Sequence, residues 1–251
     1  MHPDTAETRS FKRISHAPRD NIILCSLPDV EYACLHEHST TISLEAQQAL
    51  YGPGKAFDYV YFPDRGVISL LITGSDGSAV KTAVVGREGI AGSTVVLGVA
   101  EPDVQAIVQI GGQAMRVPTS FFLQCYRELP NLNVLINQHI GLLLFQARQY
   151  ALCHALHSLD ARLCQWLLQT SDSIESNVIE LTQDACSHLL GVQRTSVSMA
   201  AHFVQTAGGI RTRRGKIEIL DRGKLERAAC ECYAKVKERF QSAKRAALPT
   251  V

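Results

Sequence analysis

Arg194, Thr195, Ser196 and Ser198 open an apolar-periodic stretch, with Gln193 just before them. An arginine offers a planar fork of donors that pairs two-pronged with guanine O6 and N7. The neighbouring hydroxyls and the Gln193 amide suit base edges or phosphates. Thr182, upstream, heads another such stretch, where a hydroxyl at a helix N-terminus meets a phosphate. Arg211, Arg213, Arg214 and Lys216 surround Gly215 and would attract a polyanion whatever its sequence. The chemistry these residues suit is the reading of double-stranded DNA.

Two short helices and a hairpin must position them. Ala185, Leu189 and Leu190 give the first helix an inner face, and Gly191 suits a left-handed end. Val197, Ala200, Ala201 and Val204 give the second its inner face, closed by Gly208-Gly209. From Ile210 to Ile219 apolar and basic residues alternate around a glycine, as in a β-hairpin. The spacing predicts a winged helix-turn-helix at 181–221, within a domain of residues 157–251 that ends in a further helix.

The preceding chain changes period. Residues 1–17 read as a loose polar tail. Within 18–129, short strands are expected at Tyr59–Phe62, Gly66–Ile72, Ala79–Val85, Val104–Ile110 and Ala114–Val117, with turns at Gly74–Gly77 and Gly111–Gly112. Thr170 to Asn177 reads as a polar linker. Residues 130–156 read as one long helix. Ile136, Ile140, Leu143, Ala147 and Tyr150 are spaced 4, 3, 4, 3 along it. That heptad seam predicts a parallel dimer interface. The fold class is α+β: an antiparallel β-roll, a long dimerisation helix and a C-terminal winged helix-turn-helix.

Charge supports the division. The net charge is +1, but residues 181–251 hold 13 Lys+Arg against 6 Asp+Glu, and the remainder is acidic. The basic end calls for a polyanionic partner. The eight cysteines form no CxxC pair, so free thiols are expected, with no metal or other cofactor assigned. His154 and His157 are given ordinary polar roles. No apolar run suits a signal peptide or membrane span, which predicts a cytoplasmic protein. No phosphate loop, Ser–His–Asp set, paired-carboxylate motif or HExxH is visible, so no enzyme is expected.

The stretch LTQDACSHLLGVQRTSVSMAAHFVQTAGGIRTRRGKIEILDRGKLE resembles the DNA-binding domain of the Crp/Fnr family. YGPGKAFDYVYFPDRGVISL and VVGREGIAG resemble that family's β-roll, and ERAACECY resembles the tail of one of its branches. The resemblance covers about residues 20–235. It implies a homodimer on a palindromic operator, RNA polymerase as a further partner, and a cyclic-nucleotide-binding-like roll that senses a signal. Glu88, Gly89, Ile90, Ala91 and Gly92 would be the effector pocket. The pattern departs where cyclic-nucleotide binders place an arginine, since this chain reads Glu101-Pro102-Asp103-Val104-Gln105-Ala106. A buried phosphodiester without a cation is costly, so the effector stays unassigned. The N-terminal cysteine group of an Fnr-type cluster is absent, leaving only Cys25 and Cys34. Thr195 and Met199 stand where the best-known members carry a Glu and a second Arg, which implies a different operator. The alternative is a cyclic-nucleotide-type regulatory module acting on a protein partner, which the basic hairpin disfavours.

Overall fold

The computed structural model describes residues 20–75, 77–181 and 183–247. The expected tail and Thr182 lie outside them. Helix α1 (Ile22–Cys25) is short and pinned by Asn21. The Asn21 Oδ1 accepts from Ile23 N and Leu24 N, and its Nδ2 donates to Pro63 O and Gly89 O at 2.8 and 2.9 Å. Helix α2 (Asp29–Glu37) follows.

Five antiparallel strands make the roll: β1 (Thr40–Leu44), β2 (Ala49–Tyr51), β3 (Tyr59–Thr73), β4 (Ala79–Val85) and β5 (Gln105–Pro118). Their order is β1–β5–β3–β4, with β2 on a second stretch of β5. The expected strand pairs are single long strands. The turn expected at Gly111–Gly112 is a bulged stretch of β5 beside Gly66 of β3. A Cβ on Gly112 would lie 2.2 Å from Arg65 O, and one on Gly66 2.6 Å from Ile110 O. Gly66 also has φ +92°. These glycines permit close backbone approach where a sharply bent sheet needs it.

Helix α3 (Thr119–Glu128) leads into α4 (Pro130–Leu156). Pro130 suits the first turn, where a missing N–H costs nothing. The buried Glu31 carboxylate accepts from Leu132 N at 2.9 Å and Asn131 Nδ2 at 2.6 Å, giving the positive end of α4 an anion. The expected seam of α4 turns inward. Ile136, Leu143 and Tyr150 are buried within their own chain, and Ile140 and Ala147 half-buried. Ile136 packs with α1, α2 and the roll, Leu143 with Ile68 and Val85, and Tyr150 with Val67 and Val84. Side chains committed to their own core are unavailable to a second chain. The face left exposed is Val134, Asn137, Gly141, Leu144, Arg148 and Ala151, spaced 3, 4, 3, 4, 3.

Helix α5 (Leu159–Ile174) runs through most of the expected linker because Thr170 and Ser171 are buried. Glu175, at φ 52°, ends it. The reader is completed by β6 (Val178–Ile179), α6 (Gln183–Leu190), α7 (Arg194–Thr206), β7 (Ile210–Arg213), β8 (Lys216–Ile219) and α8 (Arg222–Ala228). Its three-stranded sheet has order β6–β8–β7. Trp166, Val197, Ala200, Val204, Ile217 and Leu225 share its core, and Leu71 of β3 joins them. Helix α9 (Cys232–Ala247) folds back onto α4 and α5. No helix among the described residues is long and apolar enough to cross a membrane.

Candidate nucleic-acid interface

Helices α6 and α7 meet at Gly191, which adopts φ +65° as a left-handed helix end requires. Val197, Ala200, Ala201 and Val204 are buried on the inner face of α7. Gln193, Arg194 and Thr195 are exposed at its start, and Ser196 is half-buried. The half-buried Ser198 hydroxyl donates back to Arg194 O at 3.1 Å, an ordinary intrahelical bond. Met199, His202 and Phe203 continue the outward face. Sequence reasoning missed Phe203, which is 64 % exposed. Its signal was an aromatic one residue off the inward period. An apolar side chain here suits a thymine methyl.

The hairpin is tied to α7 through Gln205, whose Oε1 accepts from Thr212 N at 2.7 Å and Thr212 Oγ1 at 2.6 Å. Its four basic residues are not equivalent. Lys216 Nζ lies 2.6 Å from Glu180 Oε1, and Arg211 lies 3.3 Å from Glu218 Oε2. Among the described residues Arg213 and Arg214 make no ion pair. Arg194, Arg213, Arg214 and Lys216 line one concavity between the start of α7 and the wing tip. Two guanidiniums on the wing and a third on α7 thus face the same space.

Glu88, Gly89, Ile90, Ala91 and Gly92 also lie together, but not as an open cradle. Ile90 and Ala91 are fully buried, and Ala91 exchanges two backbone hydrogen bonds with Tyr61. Glu88 Oε1 accepts from Gly86 N at 2.9 Å, and burial pushes its carboxyl pKa up. A Cβ on Gly89 would lie 2.4 Å from His139 Cε1. The loop is therefore packed under α4. Glu88 lines two spaces under α9: a cavity of about 330 Å³ beside Gln146, Asp172, Tyr233 and Lys237, and one of about 140 Å³ beside Leu135, His139 and Leu142.

His139 of α4 holds this loop: its Nε2 lies 3.0 Å from Ile90 O and 3.2 Å from Ile90 N. Burial pushes its pKa down to about 4, and burial likewise lowers His154 to about 4. The unfolded chain takes up protons near pH 6.5 that the folded chain refuses. The stability contributed by keeping these two histidines neutral is therefore fully present above about pH 6.5 and is lost as pH falls toward 4. Melting temperature followed from pH 7.5 to 4.5 should drop, and His139→Gln should flatten part of that drop. An unchanged slope in the variant would rule out His139 as a contributor.

The reader is docked on the roll. The Ser69 hydroxyl donates to Gln109 Oε1 at 2.6 Å, and Gln109 Nε2 donates to Thr170 Oγ1 of α5 at 3.2 Å. Arg87 pairs with Glu175 across the same boundary. As expected, all eight cysteines are free thiols. Cys153, His157, Cys230 and Cys232 converge at the elbow between α4 and α5. Cys230 lies in the loop before α9, and Cys232 is the first residue of that helix.

The profile of the Crp-like helix-turn-helix domain matches residues 161–228. This chain carries a Crp-like helix-turn-helix domain in a Crp/Fnr fold. FixK2 from Bradyrhizobium japonicum superposes on it with a TM-score of 0.65 at 17% identity, over 76% of this chain and 98% of that one. A CRP/FNR-family transcriptional regulator from Thermus thermophilus gives 0.63 at 23% identity, over 76% and 98%. The c-di-GMP responsive global regulator CLP of Xanthomonas campestris gives 0.65 at 13% identity, over 77% and 100%. No curated protein matches the chain. The Crp/Fnr fold accounts for the antiparallel roll, the long α4 and the winged reader. The family profile ends just before Cys230, so the cysteine pair and α9 lie beyond it.

Proposed function

We propose that the protein is a cytoplasmic, homodimeric transcription regulator that reads a palindromic duplex DNA site and responds to a signal through its roll. The observation that carries this reading is the shared concavity of Arg194 with Arg213 and Arg214, which make no ion pair among the described residues. Helix α7 enters the major groove with Arg194 on a guanine, while Gln193, Thr195 and Ser196 meet flanking bases or phosphates. Arg213 and Arg214 hold the backbone, with Arg211 and Lys216 available once they leave their carboxylates. The protein performs no catalytic step, and RNA polymerase is the machinery on which such a dimer acts.

The dimer forms through Val134, Asn137, Gly141, Leu144, Arg148 and Ala151. Val134 and Leu144 are both more than half exposed in the single chain. A Cβ on Gly141 would meet nothing within 4 Å. A glycine on an exposed helix face costs about 1 kcal/mol against alanine, and close approach of a partner helix gives it a use. The signal enters at the Glu88–Gly92 loop, which His139 couples to this same helix.

Duplex binding measured against salt tests the reading. Affinity should fall steeply as salt rises. Arg213→Ala with Arg214→Ala should lower the log–log slope by about 2 per protomer and weaken all sequences alike. Arg194→Ala should cost about 1–3 kcal/mol on the specific site and relax the preference at one base per half-site. Salt-independent binding would overturn the proposal.

A further inference from the structure

We propose that Cys153, His157, Cys230 and Cys232 form a structural zinc site that ties α9 and the end of the reader to the end of α4. One donor atom from each lies within 4.8 Å of every other. Three thiols and an imidazole are a tetrahedral zinc set. In such a site, bonds of about 2.3 Å to sulfur and 2.0–2.1 Å to nitrogen place neighbouring sulfurs about 3.8 Å apart, and sulfur and nitrogen about 3.5 Å. Cys153 Sγ and Cys230 Sγ are 3.5 Å apart, and Cys232 Sγ and His157 Nδ1 are 3.6 Å apart. The remaining donor pairs lie within 4.8 Å.

The surroundings fit as well as the distances. His157 turns Nδ1 to the sulfurs and Nε2 to Glu231 Oε2, 3.3 Å away. A carboxylate on the far ring nitrogen fixes the tautomer that leaves Nδ1 bare, as partners of metal-bound imidazoles do. The three thiols are buried, and His157 is 18% exposed, which leaves an entry path. A cluster of several irons would need room for bridging sulfides, and donors within 4.8 Å hold a single ion. On binding, the three thiols release their protons to solvent and neutral His157 completes the set.

The placement gives the ion a task. Cys153 is in the last turn of α4, and His157 caps that helix. Cys230 and Cys232 flank the start of α9. The ion would join segments about 75 residues apart in sequence across the joint between sensor and reader. This inference does not depend on DNA binding.

Full-length protein purified under reducing conditions, reconstituted with zinc(II) and desalted, should carry about one zinc per chain by elemental mass spectrometry. Cobalt(II) in its place should give thiolate-to-metal charge transfer and the intense visible bands of a tetrahedral ion. Cys232→Ser and His157→Ala should lower zinc content and melting temperature, while Cys25→Ser, at an exposed thiol outside the cluster, should change neither. The cobalt spectrum needs no variant to fold. A chain that holds no zinc after reconstitution, one that takes iron in preference, or a Cys153–Cys230 disulfide in alkylated peptide maps would each overturn the proposal.

Discussion

Leu144→Glu is expected to give a folded protein that runs as a monomer on sizing and binds its operator at least about 10⁴-fold more weakly. The size follows from symmetry. Specific complexes of this kind bind at about 10⁻⁸ to 10⁻¹¹ M. Half a site supplies about half the binding free energy, which takes even the weaker limit to about 10⁻⁴ M. Leu144 is 52% exposed, so a carboxylate there disturbs nothing inside the chain. Leu143→Glu is the informative contrast. That side chain is buried on the roll with Ile68 and Val85, and a charge there should unfold the roll rather than separate two folded protomers. A Leu144→Glu protein that stays dimeric at micromolar concentration would show that another face of α4 makes the dimer.

Trp166→Ala should remove most of the reader's stability margin. Trp166 is the largest fully buried side chain, at the centre of the core shared by α5, α7 and the wing sheet. Its loss leaves a cavity costing about 3–5 kcal/mol, or about 10 °C in melting temperature for a chain of this size. Trp166→Phe should be far milder than the area difference suggests. The indole Nε1 has no hydrogen-bond partner among the described residues, so phenylalanine gives up volume and no hydrogen bond. Thermal unfolding followed by circular dichroism on both variants checks this. A phenylalanine variant as damaged as the alanine one would mean that Nε1 matters through a water.

Local signals made the reader legible in the sequence. The inward faces of α6 and α7, Gly191 and the alternating wing each depend on residues within one or two turns. The roll was legible as a class and less so as strands. A glycine pair marks a turn or a close backbone approach equally well, and Gly111–Gly112 is the second because Gly66 of β3 lies against it. The expected seam of α4 turned inward for a related reason. Apolar spacing says that a face is buried and not by what. The more apolar seam of α4, from Ile136 to Tyr150, went to the chain's own core, and the weaker one with Gly141 and Asn137 stayed outside. The four converging donors were invisible in spacing. The fold brings Cys230 and Cys232 back to a helix end about 75 residues earlier, and no local pattern records that return.

Leu71 belongs to β3 yet completes the core of the reader, and Ile107 and Ile110 of β5 pack against it. Roll and reader therefore do not own separate interiors. Heating should give one calorimetric transition in place of two. A chimera that joins this reader to a foreign roll would keep its full stability only if the graft brought these three strand positions with it.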